Sequence, residues 1–252
     1  MTEKSDVSFI KVEKDVITTL TLCGNTDLNI LHSSTMKQLN SILNDLHGEE
    51  DIRVLIITGQ GSKSFCSGAD IKELSDISDS LIDEYVKLGT ETYDKIENFH
   101  CPTIAAVNGY AFGAGFELAL ACDIRFLAKS AKIGQPAVKH GLIPPFGGLR
   151  RLPQIVGLSK AKEIIFSAET FNSTECLKLG LVNRVYDDEL LSEETIKFAE
   201  NIVKNKSYSV NYSKNILNSL FHSDSHQEEM EKLAFCLRNS KTKEKLNSFF
   251  DK

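Results

Sequence analysis

The chain has 252 residues, 41% hydrophobic and 25% charged, enough for one substantial core or one core with a small appended module. A formal net charge of −6, with the densest basic run (241–245) broken by Glu244, argues against nucleic acid as a partner. No stretch reaches the roughly 18 apolar residues of a membrane span, and the six Cys and six His lack metal-ligand or C-x-x-C spacing, so neither a metal site nor a disulfide frame is expected. The N-terminal MTEKSDVS is polar and acidic, unlike a secretory or transit segment, and a soluble cytoplasmic protein with reduced thiols is expected.

Residues 7–22 read as a β-hairpin with Lys14-Asp15 near its turn. Ser33 is placed to N-cap a helix over about 34–47, where Met36, Leu39, Ile42, Leu43 and Leu46 recur at helical spacing. VLIITG at 54–59 is a short buried strand, and FCSGADI at 65–71 a second one ending in a turn. A lightly apolar helix is expected over 81–99, then a strand at 103–108 and short strands at 123–127 and 132–134. After the Pro/Gly cluster at 144–148 come helices at about 149–155, 159–167 and 173–179, a strand at 181–186, and helix to the end. Strands alternating with helices imply an α/β core with a largely parallel sheet. We divide the chain into a core, 1–189, and a helical C-terminal module, 190–252.

The segment PTIAAVNGYAFGAGFELALACD, 102–123, concentrates the chemistry. Its strand does not alternate and reads as buried on both faces. Gly113-Ala114-Gly115 allows a tight turn and keeps side chains clear of what lies above it. The following helix presents N–H groups and the positive end of its dipole there, suiting an oxygen that gains negative charge. Glu117, three residues after Ala114, faces the same side. A carboxylate within an apolar helix is costly unless an arginine or backbone N–H groups hold it, or chemistry uses it.

Four segments together resemble the crotonase superfamily, the enoyl-CoA hydratase/isomerase family. They are FCSGADIKEL (65–74), NGYAFGAGFELALACDIRF (108–126), IGQPAVKHGLIPPFGGLRRLP (133–153) and NSTECLKLGLVNRVY (172–186). The likeness covers about 7–250. It implies a spiral of ββα units with a helical C-terminal trimerisation module, assembled as a homotrimer or dimer of trimers. It also implies an acyl-CoA substrate, or an acyl carrier protein thioester, and no cofactor beyond the coenzyme A of the substrate.

By position, the resemblance makes Ala69 and Ala114 the backbone donors of an oxyanion hole for a thioester enolate. It makes Glu117 the acid/base or water holder, and assigns Ser67, Ala69, Asp70 and Ile71 to coenzyme A. Gly68, Gly113, Pro136, Ala137, Leu142, Pro144 and Pro145 complete the substrate-binding set. Hydratases of the family carry a second glutamate directly after Gly-Gln-Pro; this chain has Ala137 there, and Pro145 at the later position where relatives place an acid. Isomerisation, decarboxylation, thioester hydrolysis and an inactive acyl-CoA binder therefore stand beside hydration. A replacement group can come from His140 or Lys139, from Tyr110 (otherwise core packing), or from Tyr85 or Asp83, otherwise a solvated face. The early segment CGNTDLNIL (23–31) lacks the family's usual basic residue.

Overall fold

The computed structural model describes residues 8–219, 231 and 234–248. Strands β1 (Phe9–Glu13) and β2 (Ile17–Cys23) form the expected hairpin, and β2 continues in parallel to β3 (Val54–Gly59), β5 (Thr103–Val107), β7 (Ile124–Ala128) and β10 (Arg184–Tyr186). A second sheet has the order β4 (Ser64–Cys66), β6 (Tyr110–Phe112), β8 (Lys132–Gly134) and β9 (Thr170–Asn172), parallel except for its last pair. Three times in succession the chain runs through a strand of the large sheet, one of the small sheet, and then helix. Every residue of β5 is buried, which is why its sequence shows no alternation.

Helix α1 (Ser33–His47) packs on α3 (Ile82–Glu97), and the short α2 (Ile71–Asp76) follows the β4 turn. Helix α4 (Ala114–Ala121) is wholly buried and packs against β4 and β6; a Cβ at Gly115 would run into the Cys66 carbonyl. Further along lie α5 (Gly148–Val156), α6 (Leu158–Ser167), α7 (Ser173–Lys178), α8 (Leu191–Val203), α9 (Ser207–Ser219) and α10 (Ser240–Asn247). No strand occurs among the described residues after Tyr186. The helix expected for 220–230, 232–233 and 249–252 lies outside the described residues.

Several local expectations are corrected. The N-cap of α1 is His32, which makes no side-chain cap; the Ser33 N–H is instead satisfied by Glu73 Oε2 at 2.9 Å. The strand expected over 65–71 ends at Cys66, because Asp70 caps α2 by accepting from the Lys72 and Glu73 N–H groups. The strand expected from 181 begins at Arg184. Strands β6 and β9, three residues each, went unforeseen: such pieces are set by pairing to their neighbours and leave no periodic signal.

The C-terminal helices are tied to the core at the start of β5. Lys214 on α9, 5% exposed in its side chain, pairs with Asp123 Oδ2 at 2.8 Å and donates to the Cys101 carbonyl at 3.0 Å. The same Asp123 oxygen accepts from the Thr103 N–H and hydroxyl. Lys214→Met leaves Asp123 without its cation and should cost about 1–3 kcal/mol, read as a lower urea midpoint at unchanged m-value.

Candidate active site

The two turns expected to hold an oxygen meet across the end of the small sheet. Leu31 N–H donates to Gly68 O at 2.9 Å, and Asp70 N–H donates to Leu31 O at 3.3 Å. Because successive residues of an extended segment direct their backbone groups to opposite sides, the N–H of Ala69 points away from Leu31. Gly113 adopts a φ of 52°, a conformation glycine tolerates, and its N–H is bound to Gly134 O. Ala114 then opens α4. A Cβ on Gly68 would stand 3.8 Å from the Ala114 nitrogen, so the two segments abut.

Glu117 is fully buried. Its Oε1 accepts from the Phe146 N–H and the Gly148 N–H, each at 2.9 Å. The backbone-held reading of a buried glutamate is thus what the structure contains, at a position that also lines a cavity. Residue 148 must be glycine for this grip: a Cβ there would lie 2.6 Å from Glu117 Oε1.

The loop that supplies these donors is fastened by arginine. Arg151 Nη1 donates to the Phe146 carbonyl at 2.6 Å, and its remaining nitrogens reach Asp94 and Glu97 on α3, as do those of Arg150. Burial alone would raise the Glu97 carboxyl, but the Arg151 charge and the Arg150 hydrogen bond outweigh it and hold it below its ordinary value.

A cavity of about 100 Å³ gathers most of the expected residues: Ser67, Gly68, Ala69, Ile71, Gly113, Ala114, Glu117, Pro136, Ala137, His140, Leu142 and Pro145. Two are placed elsewhere. Asp70 borders a neighbouring groove, where its carboxylate caps α2 and pairs with His32 Nδ1 at 3.0 Å, and Pro144 is buried and outside the lining. Lys139 is exposed outside the cavity, and Asp83, also exposed, pairs with Arg238. Tyr85 is not on a solvated face: it is buried and lines the cavity beside Glu117.

Sequence reasoning also missed Leu74, Gln135, Ile143, Phe146 and Leu237 in the lining. The amides of Phe146 and Gly148 have no side-chain signature, although the Gly-Gly-Leu-Arg-Arg run marks their loop. Burial pushes the thiols of Cys66 and Cys122 up to about 12, which keeps them protonated and poor nucleophiles. Among the described residues no group of three or more His, Cys, Asp or Glu is arranged to hold a metal ion, and no helix is long and apolar enough to cross a membrane.

Comparison with known proteins decides the family. The sequence model described as Enoyl-CoA hydratase/isomerase matches residues 13–252. The chain belongs to the enoyl-CoA hydratase/isomerase family, the crotonase superfamily. It is 35% identical over 228 residues to the short-chain-enoyl-CoA hydratase of Clostridium acetobutylicum, covering 89% of this chain and 87% of that protein. Crotonyl-CoA hydratase of Syntrophomonas wolfei is 36% identical over 228 residues, covering 89% and 88%. Among solved structures, enoyl-CoA hydratase of Bacillus anthracis superposes with a TM-score of 0.81 at 33% identity, over 96% of each chain. The alternation of helices and strands is thus the crotonase fold, and the protein is an enzyme of this family.

The arginine clamp has a measurable signature. Glu97 is depressed in the folded state, so its contribution to stability is present above the ordinary glutamate value of 4.5 and is lost as pH falls through the folded value. Arg151→Met should lower stability at neutral pH by about 1–3 kcal/mol, by removing one of the two guanidinium partners of Asp94 and Glu97 and the donor to the Phe146 carbonyl. It should also flatten the decline of stability below the ordinary value, as chemical denaturation across that range would show.

Proposed function

We propose that this enzyme hydrates 2-enoyl-CoA thioesters, with Glu117 as its single carboxylate and the N–H groups of Ala69 and Ala114 as the oxyanion hole. The carrying observation is that Glu117 is the one carboxylate lining the cavity among the described residues, beside the turns that present Ala69 and Ala114. Glu117 takes a proton from water as the water oxygen bonds to C3. The C2=C3 electron pair moves toward the thioester, and the charge gathers on its oxygen, where the two N–H groups stabilise it. Collapse of the enolate returns the proton from Glu117 to C2, which closes the balance with no group beyond the coenzyme A of the substrate. Names of relatives at 35% and 36% identity, both short-chain or crotonyl-CoA hydratases, support the reaction and the short acyl chain.

Ala137, inert at the place where the resemblance puts a second glutamate, favours one further reading. A lone carboxylate suffices for double-bond isomerisation, taking the proton from C2 of a 3-enoyl thioester and returning it at C4. The deciding assay is loss of the conjugated thioester absorbance of crotonyl-CoA. The purified protein should turn over, and Glu117→Gln should lower kcat by about 10²–10⁴-fold. A Glu117→Gln enzyme as fast as the parent overturns the role of Glu117; a parent that shifts 3-enoyl-CoA but leaves crotonyl-CoA untouched is an isomerase.

Assembly into a trimer belongs to the same reading. Tyr208 and Tyr212, one helical turn apart on α9, are 61% and 65% exposed, an apolar face that a second copy of the chain would cover. The double variant Tyr208→Glu, Tyr212→Glu should move the sedimentation coefficient from trimer toward monomer, and an unchanged coefficient excludes this face from the interface.

A further inference from the structure

Helix α3 directs two tyrosines toward the catalytic cavity, and they differ in one respect. Tyr93 is committed: its hydroxyl donates to the Ala114 carbonyl at 2.8 Å, inside the turn that carries the proposed oxyanion donor. Tyr85, two helical turns earlier, is only 7% exposed and lines the cavity with Glu117, yet its hydroxyl has no hydrogen-bond partner among the described residues. Its ring is held by packing alone, 5.8 Å from that of Phe146. The oxygen is not one of the fully buried polar atoms left without a partner; it keeps access to open space, where a ligand entering the cavity can accept from it. Leu74, Leu142, Phe146 and Leu237 add an apolar part to a lining that also holds Ser67, Gln135 and His140.

The protonation state of this phenol is fixed by its surroundings. Burial raises its pKa well above the ordinary tyrosine value, and the negative charges of Glu73, Glu117 and Asp70 add to the effect. Tyr85 is therefore a donor throughout the working range of such an enzyme, and not a base.

On the reading that this is a hydratase, we propose that Tyr85 is a substrate-contacting residue whose hydroxyl donates a hydrogen bond to the oxygen added at C3. In hydration that oxygen is the water whose proton passes to Glu117. In the reverse direction it is the hydroxyl of a 3-hydroxyacyl thioester, which leaves with the C3–O electron pair and takes the proton held by Glu117. Tyr85 keeps its own proton throughout. The pocket thereby selects for an oxygen at C3 of an otherwise apolar acyl chain.

Tyr85→Phe keeps the ring and removes only the oxygen. Its melting temperature should stay within a few degrees of the parent. Hydration of crotonyl-CoA should slow by about 10–100-fold in kcat, with KM changed by less than about twofold, as for loss of one donor used mainly in the transition state. Calorimetry with 3-hydroxybutyryl-CoA and butyryl-CoA gives a second readout that needs no turnover: the parent should prefer the hydroxylated ligand, and the variant should lose about fivefold of that preference. A variant with parental kcat and parental preference overturns the role of Tyr85. If the parent fails to hydrate crotonyl-CoA, the hydratase reading falls, and the ligand preference alone decides whether Tyr85 touches an oxygen at C3. Loss of both readouts in a His140→Ala enzyme, with Tyr85→Phe at parental values, would transfer the role to His140.

Discussion

The grip of two backbone amides on one carboxylate oxygen is the constraint around which this molecule is organised. Glu117 is wholly buried, and a buried carboxylate is tolerated only when donors meet it. The donors come from Phe146 and Gly148, a sharp turn that would not hold its own position in water. It is held by Arg151, which reaches from α5 to the Phe146 carbonyl and at the same time to Asp94 and Glu97 on α3. Helix α4, the 146–148 turn, helix α5 and helix α3 thus form one closed circuit of polar contacts beneath the cavity.

The parallel sheets serve this circuit by fixing where its turns begin. Each passage from the large sheet into the small one ends beside the cavity: β4 delivers Ala69, β6 delivers Ala114, and β8 delivers Pro136 and Ala137. The C-terminal segment then closes the open side, with Leu237 in the lining and Thr242 donating to the Gly141 carbonyl at 3.1 Å.

Much of this was legible in the sequence, for identifiable reasons. Unbroken apolar runs such as VLIITG and TIAAV announced buried parallel strands, and the lone Glu117 in an apolar helix announced either a holder or a use; it has a holder, and a use is proposed. The parts that stayed hidden are those decided by distant neighbours. Tyr85 sits on a helix whose polar residues suggest solvent, yet the helix turns that residue inward against Phe146. Asp70 looked like a ligand residue and is occupied as a helix cap and as the partner of His32. Strands of three residues, as in β6 and β9, exist because a neighbour pairs with them, and no local pattern encodes that.

Phe146 illustrates what such economy implies for adaptation. Its ring forms part of the cavity wall, its N–H holds Glu117 and its carbonyl anchors Arg151. Its ring also lies so close to α3 that a Cβ on Gly89 would strike it. A residue with so many simultaneous duties is a poor place to alter the acyl chain that fits. Enlarging the chamber there would disturb the buried carboxylate and the scaffold together. Divergence toward longer or branched acyl groups is therefore channelled to Leu142, Ile143 and Leu237, wall positions whose side chains can change without touching the amides that hold the carboxylate.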